Sequence, residues 1–543
     1  MYLTQGLHRA LQRHPHKLAL RDLADDAGAG LDTATLVQQV AQGAAALQSL
    51  GVAAGDRVAL LSPNHPQLVQ QLLACWWLGA VACPLNPRWS QPELHAAMAD
   101  CHASLLVVAP HLTGLSSAAG LATALKAGGC ELDGDRLAGL AAARLPLADS
   151  RTGGQALAAI LYTAGTTGRC KGVMLSHANF WAAAIARSAE LHHPADAVAL
   201  LVAPLCQVAG LGRLIAQLIV GGTCLTLPDW RTDAVMAAVA RHPVTDILLL
   251  PSMLQALLDH PGFDAGPLQG LRRIVFGAAP MPPALLARAL AAWPQAEFAQ
   301  AYGLTETAAT VCINLPALHR PALKADATAD AIADATADAT ADAAADAAAR
   351  SRQHAAGRAG LGAELRIVDD QGADSPVGQV GQILVRGPMV MLGYWQQPEA
   401  TAAVLQDGWL HTGDLGRIDD AGYLFILDRQ HDVIVSGGES IYCTEVEAVM
   451  RLHPAVADVA VLGLPHAVWG EAVHAVVVLV QGAPPQPDAL RRFCRKHLAG
   501  YKCPRSVSFA AGLPLTAAGK VRKSRLRESL AQTPPSATQG ATP

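Results

Sequence analysis

Eleven consecutive residues, Tyr162-Thr163-Ala164-Gly165-Thr166-Thr167-Gly168-Arg169-Cys170-Lys171-Gly172, combine the residue types that grip a polyphosphate. Glycine lets backbone N–H groups approach a polyanion closely, and the hydroxyls of Thr163, Thr166 and Thr167 add donors. Lys171 supplies a compact positive charge. The spacing is not that of a Walker A loop, which needs G-x-x-x-x-G-K followed by Ser or Thr. The apolar run AAILYT (158–163) ends where this segment begins, so the sequence places the phosphate-binding turn at the end of a strand.

The surrounding chain supplies the scaffold for such a turn. Thr33 to Leu50 has helical apolar spacing and stops at Gly51. RVALLS (57–62), VACPLN (81–86) and SLLVVA (104–109) read as strands, separated by helices over 66–78 and 93–100. Further short apolar runs occur at 158–163, 246–251, 272–277 and 297–303. This alternation predicts an α/β fold with parallel or mixed sheets covered by helices. Residues 200–227 are nearly all apolar and imitate a membrane span. Pro204, Pro228, Gly210, Gly212, Gly221 and Gly222 interrupt the stretch, so it reads as buried strand, loop and short helix.

Composition narrows the function classes. With 51% hydrophobic residues the 543-residue chain can build more than one packed domain. A net charge of −4 leaves no basic footprint for nucleic acid. The eleven cysteines form no C-x-x-C pair, which disfavours a zinc site and fits a reducing, cytoplasmic setting. The N-terminus lacks an apolar signal core. Residues 324–350 repeat Asp every four positions in an alanine background, without an apolar face, and read as an exposed helical or disordered insertion. After residue 428 the pattern changes to a small α+β domain over 429–530, followed by a disordered tail at 531–543.

The Thr/Gly segment resembles the phosphate loop of the adenylate-forming superfamily, which includes acyl-CoA synthetases, aryl-CoA ligases, luciferases and peptide-synthetase adenylation domains. Further motifs follow in the family's order. Phe276-Gly277-Ala278-Ala279-Pro280 resembles the adenine-flanking turn. Gln300-Ala301-Tyr302-Gly303-Leu304-Thr305-Glu306 resembles the Y-G-x-T-E motif, Asp407 to Asp414 the motif ending in a ribose-binding aspartate, and Asp428-Arg429 the motif closing the large domain. Ser436-Gly437-Gly438-Glu439 resembles the first motif of the mobile domain, and Leu515 to Val521 the T-x-x-G-K motif.

The resemblance implies roles. Tyr302, with Ala278, Ala279 and Ala301, flanks the base. Thr163, Thr166, Thr167, Gly168, Lys171 and Thr305 face the phosphates. Glu306 holds Mg²⁺, a hard cation suited to carboxylate and phosphate oxygens. Asp414 and Arg429 take the ribose. Gly437 and Gly438 approach coenzyme A, and Lys520 is the catalytic lysine. The acid lies against Cys206, Gln207, Gly210, Gly277 and Gly303. Cofactors and co-substrates are then ATP, Mg²⁺ and coenzyme A, and the partner is a small carboxylic acid, fatty or aryl. Loading of a separate acyl carrier protein is an alternative, and a catalytically impaired nucleotide-binding relative a further one. The chain departs from the family text at Ala164, Cys170, Cys206, Gln207, His431 and Cys443.

Overall fold

The computed structural model describes residues 1–24, 28, 30–163, 171–279, 281–319, 351–436, 439–466, 468–515 and 521–532. Two compact units are present. The first comprises 1–366, 384–412 and 418–425, and the second 367–383, 413–417 and 426 onward.

Two sheets lie wholly within the first unit. Nine strands run in the order Arg358–Ala359, Cys312–Asn314, Glu297–Tyr302, Arg273–Gly277, Asp246–Leu249, Val198–Leu201, Thr223–Thr226, Leu18–Asp22 and Leu31–Asp32. The strands from Glu297–Tyr302 to Leu18–Asp22 are parallel, and antiparallel pairs close both edges. Seven strands form the other sheet, in the order Gly393–Tyr394, Lys171–Ser176, Leu157–Thr163, Val81–Leu85, Arg57–Leu61, Leu105–Val108 and Cys130–Asp133. Parallel strands with both faces covered read as near-continuous apolar runs, which is why the periodicity of 158–163 and 246–249 is weak.

Local signals set the element ends. Helix Pro66–Leu78 starts on Pro66 at its first position, with the His65 ring accepting from the Gln67 N–H. It stops at Gly79, whose φ of +86° costs a side-chain-bearing residue far more. The stretch 200–227 resolves into strand Val198–Leu201, helix Val208–Val220 and strand Thr223–Thr226. No helix among the described residues is long and apolar enough to cross a membrane. Residues 81–86 pair as a strand only to Leu85, with Pro84 opposite Leu60 and Ala82 opposite Ala159. The Asp/Ala repeat of 324–350 and the tail from 533 lie outside the described residues.

The second unit holds a five-stranded sheet in the order Glu439–Ile441, Ile434–Ser436, Gly470–Leu479, Val456–His466, with Ser506–Phe509 beside Gly470–Leu479. Helices Cys443–Arg451 and Pro487–Arg495 bury Val446, Met450, Leu490 and Cys494 in one core with Val459, Val461, Val473, Ala475 and Val477. This unit is α+β, the class expected of the smaller C-terminal domain, and it also takes in 367–383 and 413–417.

Candidate active site

Strands Leu157–Thr163 and Lys171–Ser176 pair antiparallel, with Thr163 opposite Lys171. Their connection, 164–170, carries Thr166, Thr167 and Gly168 and lies outside the described residues. The Thr163 hydroxyl reaches the Lys171 carbonyl at 3.5 Å. Tyr162, the residue before, donates its hydroxyl to Asp100 Oδ2 at 2.7 Å. The strand that leads into the turn is thereby tied to the end of helix Gln91–Cys101.

Lys171 does not stand alone. Its ammonium lies 4.8 Å from the centre of the Tyr394 ring, within cation–π range. The Tyr394 hydroxyl donates to Glu306 Oε1 at 2.9 Å. One tyrosine therefore links a cation and a carboxylate that are 135 positions apart in sequence. Backbone contacts hold Tyr394 from both sides. Leu392 N–H donates to Met174 O at 2.9 Å, Trp395 N–H to Gly172 O at 2.7 Å and Met391 N–H to Glu306 O at 2.8 Å. The buried Asn179 amide donates to the carbonyls of Pro388 and Val390 at 2.8 and 2.7 Å, fixing the segment that leads to Met391. Asn179 is itself held by a reciprocal cap with Ser176 at the start of helix His177–Glu190.

Sequence reasoning missed Tyr394 and Asn179. Gly393-Tyr394-Trp395 reads as an ordinary aromatic pair, and the only local signal is the flanking glycine, whose φ is +140°.

Glu306 fits a magnesium ion that is held mainly by substrate. Tyr394 occupies one of its oxygens. Among the described residues no group of three or more His, Cys, Asp and Glu side chains is clustered for a metal. Mg²⁺ keeps several waters and commonly takes one or two carboxylates plus phosphate oxygens, so this donor set suits it.

At three of the glycines expected near the acid, neighbouring backbone leaves no room for a side chain. Gly277 pairs with Ala301 across adjacent strands, and a Cβ on Gly277 would sit 2.2 Å from the Ala301 carbonyl. A Cβ on Gly303 would sit 2.2 Å from the Ala309 carbonyl, and one on Gly210 2.3 Å from the Pro204 carbonyl. Gly212 faces Ala309, so helix Val208–Val220 approaches the turn that follows Tyr302. Ala278, Ala308 and Ala309 take left-handed backbone at φ of +65°, +50° and +93°, conformations sparsely populated by alanine.

Tyr302 is buried, while Thr305 opens the short turn Thr305–Thr307, closed by the Thr307 hydroxyl accepting from Leu304 N–H at 2.9 Å. Ala279 follows Ala278 at the end of the strand. Cys206 is buried, and burial pushes its thiol up to about 12, so it remains protonated near neutral pH and offers no thiolate nucleophile. Gln207 caps the start of helix Val208–Val220 through its backbone.

In the second unit Asp414 is buried and pairs with Arg429 Nε at 3.1 Å. Burial raises the Asp428 carboxyl above the usual carboxylate range. Asp428 accepts from Arg429 N–H at 2.8 Å and Thr444 N–H at 3.4 Å. Lys523 pairs with Glu447 at 3.0 Å, and Arg527 with Asp432 at 3.0 Å. These contacts anchor the C-terminal helix Lys523–Gln532 to the start of the small domain. Gly437, Gly438 and Lys520 lie outside the described residues.

Comparison with known proteins follows the same residues. The model of the AMP-binding enzyme family matches 7–395, and that of the AMP-binding enzyme C-terminal domain matches 445–520. A feruloyl-CoA synthase of an Amycolatopsis species is 37% identical over 520 residues, covering 96% of this chain and 97% of the relative. An indoleacetate–CoA ligase of Aromatoleum aromaticum is 35% identical, covering 98% and 99%. ATP-bound MatB from Rhodopseudomonas palustris superposes with a TM-score of 0.85 at 30% identity, covering 98% and 99%.

Proposed function

The chain belongs to the AMP-binding enzyme family and is an ATP-dependent acid–thiol ligase using Mg²⁺ and coenzyme A, and from that premise we propose that its acid is a flat, aryl-substituted carboxylate. The observation that carries this reading is the near full-length similarity to relatives named for ferulate and indoleacetate, at 37% and 35% identity.

The proposed chemistry runs in two steps. The substrate carboxylate is ionised near neutral pH and needs no strong base. Its oxygen attacks the α-phosphorus of ATP, the bond to the β-phosphate oxygen breaks, and pyrophosphate leaves. The sulfur of coenzyme A then attacks the acyl carbon, releasing AMP, with the thiol proton passing to solvent. Lys171, Thr163, Thr166, Thr167, Gly168 and Thr305 bind the phosphates. Glu306, oriented by Tyr394, holds Mg²⁺, which neutralises charge on the phosphates when bound. Tyr302, Ala278 and Ala279 flank the base, and Asp414 with Arg429 takes the ribose. Lys520 bridges the attacking carboxylate and the α-phosphate in the first step. Gly437 and Gly438 face coenzyme A in the second, after 429–530 has moved about residues 429–432.

A cytoplasmic location belongs to the same proposal, supported by ten described cysteines that are all free thiols. ATP–pyrophosphate exchange over hydroxycinnamic, indole-acetic and C8–C16 fatty acids tests the acid class. Coenzyme A and a holo-carrier protein are compared as acceptors with the preferred acid. Exchange strongest with a fatty acid would overturn the aryl assignment, and faster transfer to the carrier would overturn the choice of acceptor.

A further inference from the structure

We propose that Arg187, Arg213 and Arg273 hold a monovalent inorganic anion of halide size inside the first unit, at the end of the nine-stranded sheet remote from the reaction site. Arg187 belongs to helix His177–Glu190 and Arg213 to helix Val208–Val220. Arg273 is the first residue of strand Arg273–Gly277, and Asp246 the first of strand Asp246–Leu249. Their exposures are 5%, 2%, 8% and 3%, so all four are withdrawn from solvent.

The charges in this cluster do not balance. Asp246 Oδ1 lies 3.4 Å from Arg213 Nη2 and 3.5 Å from Arg273 Nη1, so one oxygen serves two guanidiniums. Its other oxygen accepts from the Thr245 hydroxyl at 2.7 Å. Arg273 also pairs with the half-exposed Glu297, at 2.8 and 3.1 Å. Arg187 interacts electrostatically with Arg213, Asp246 and Arg273, so three cations stand against two carboxylates, and an unpaired buried charge is strongly unfavourable.

Histidine does not make up the deficit. Gln217 Nε2 donates to the carbonyls of Ala197 and Thr223 at 2.6 and 3.0 Å, which fixes the amide orientation. Its Oε1 therefore faces His193 Nε2 at 2.6 Å and must accept a proton from it. His193 Nδ1 then accepts from Arg273 Nη1 at 3.2 Å. The 3.4 Å approach of Arg213 Nη1 to His193 Nε2 brings together two donors. Burial and the neighbouring Arg213 press His193 down to about 3, in keeping with a neutral ring.

What remains is a set of fully buried donors that make no hydrogen bond. Arg187 Nη2 and Arg213 Nε make no hydrogen bond, and Arg213 Nη2 has only its 3.4 Å ion-pair approach to Asp246. Water would satisfy donors but not charge, whereas a small anion does both. A dianion would overshoot the one unbalanced charge. The site is distinct from the proposed reaction centre, because Arg273 and Glu297 begin the strands that end at Gly277 and Tyr302. At about 3.3 Å per residue, that separation is roughly 13–17 Å. An ion here ties helices His177–Glu190 and Val208–Val220 to the sheet.

The test uses the full-length protein in sodium gluconate, with sodium bromide replacing it at constant ionic strength. Thermal unfolding should rise saturably by roughly 2 °C or more as bromide fills the site. Crystals grown in bromide and measured at the bromine edge should show an anomalous peak in hydrogen-bond contact with Arg187 and Arg213. Arg187→Met should abolish the saturable rise while leaving pyrophosphate exchange within twofold. A wild-type map with water or nothing between these guanidiniums, or an unfolding temperature indifferent to the anion, would overturn the proposal. Should Arg187→Met fail to fold, the wild-type bromide map decides alone.

Discussion

Replacing Tyr394 with phenylalanine should separate its two contacts. The ring stays under the Lys171 ammonium at 4.8 Å, while the hydroxyl that donates to Glu306 Oε1 at 2.9 Å is lost. A hydrogen bond to a charged group contributes about 1.5–3 kcal/mol. Each 1.4 kcal/mol is about tenfold, so kcat/KM for MgATP should fall by roughly 10- to 100-fold. The fold around residue 394 rests on main-chain bonds from Leu392 and Trp395 and on the Asn179 amide, none of which needs the hydroxyl. Unfolding temperature should therefore change little. Tyr394→Leu also removes the ring, costing a further 0.5–2 kcal/mol or so of cation–π attraction.

The assay is initial-rate pyrophosphate exchange at graded free Mg²⁺, with direct measurement of Mn²⁺ binding in the presence of a non-hydrolysable ATP analogue. Tyr394→Phe should raise the metal concentration needed for half-maximal binding. In a Glu306→Gln background the same substitution should add little, because its partner is already altered. Fully additive effects in that cycle, or an unchanged metal dependence, would refute the reasoning that Tyr394 acts through Glu306.

Three other outcomes follow. Lys520→Ala should depress acid-dependent pyrophosphate exchange by about 10²–10³, while thiol transfer from supplied acyl-AMP stays within a few-fold; parallel loss of both half-reactions counts against its role. Gly277→Ala places a Cβ 2.2 Å from the Ala301 carbonyl. It should lower both unfolding temperature and ATP affinity, whereas an unperturbed protein would show that the strand pair tolerates the shift. His474 is buried between the Ser506 and Ser508 hydroxyls at 2.7 and 2.9 Å, and burial lowers it from 6.5 to about 4. The unfolded chain takes up this proton below pH 6.5 but the folded one only near 4. Stability should therefore fall as pH drops through that window, by at most about 3 kcal/mol from this residue. Denaturant titrations at pH 7.5, 6 and 5 should show a shallower fall for His474→Gln, and an identical slope would exclude His474 as its source.

Much of the scaffold was legible in local chemistry. Pro66 and Gly79 bracket a helix whose ends the sequence places without tertiary help, because a fixed φ favours the start and a left-handed φ the stop. The run 200–227 is apolar enough to mimic a membrane span; the sequence reads it as strand, loop and short helix, and the structure has a strand, a 13-residue helix that contains Gly210 and Gly212, and a second strand. The motif order likewise identified the family, since the chemistry of each segment is carried by neighbours in sequence. Tertiary structure alone brought Tyr394 between Lys171 and Glu306, and Asn179 beneath Pro388 and Val390. It also gathered Arg187, Arg213, Asp246 and Arg273 from two helices and two strand starts. No periodicity links such positions. They meet because burying the sheet faces folds distant segments onto one another, and propensity has no term for that.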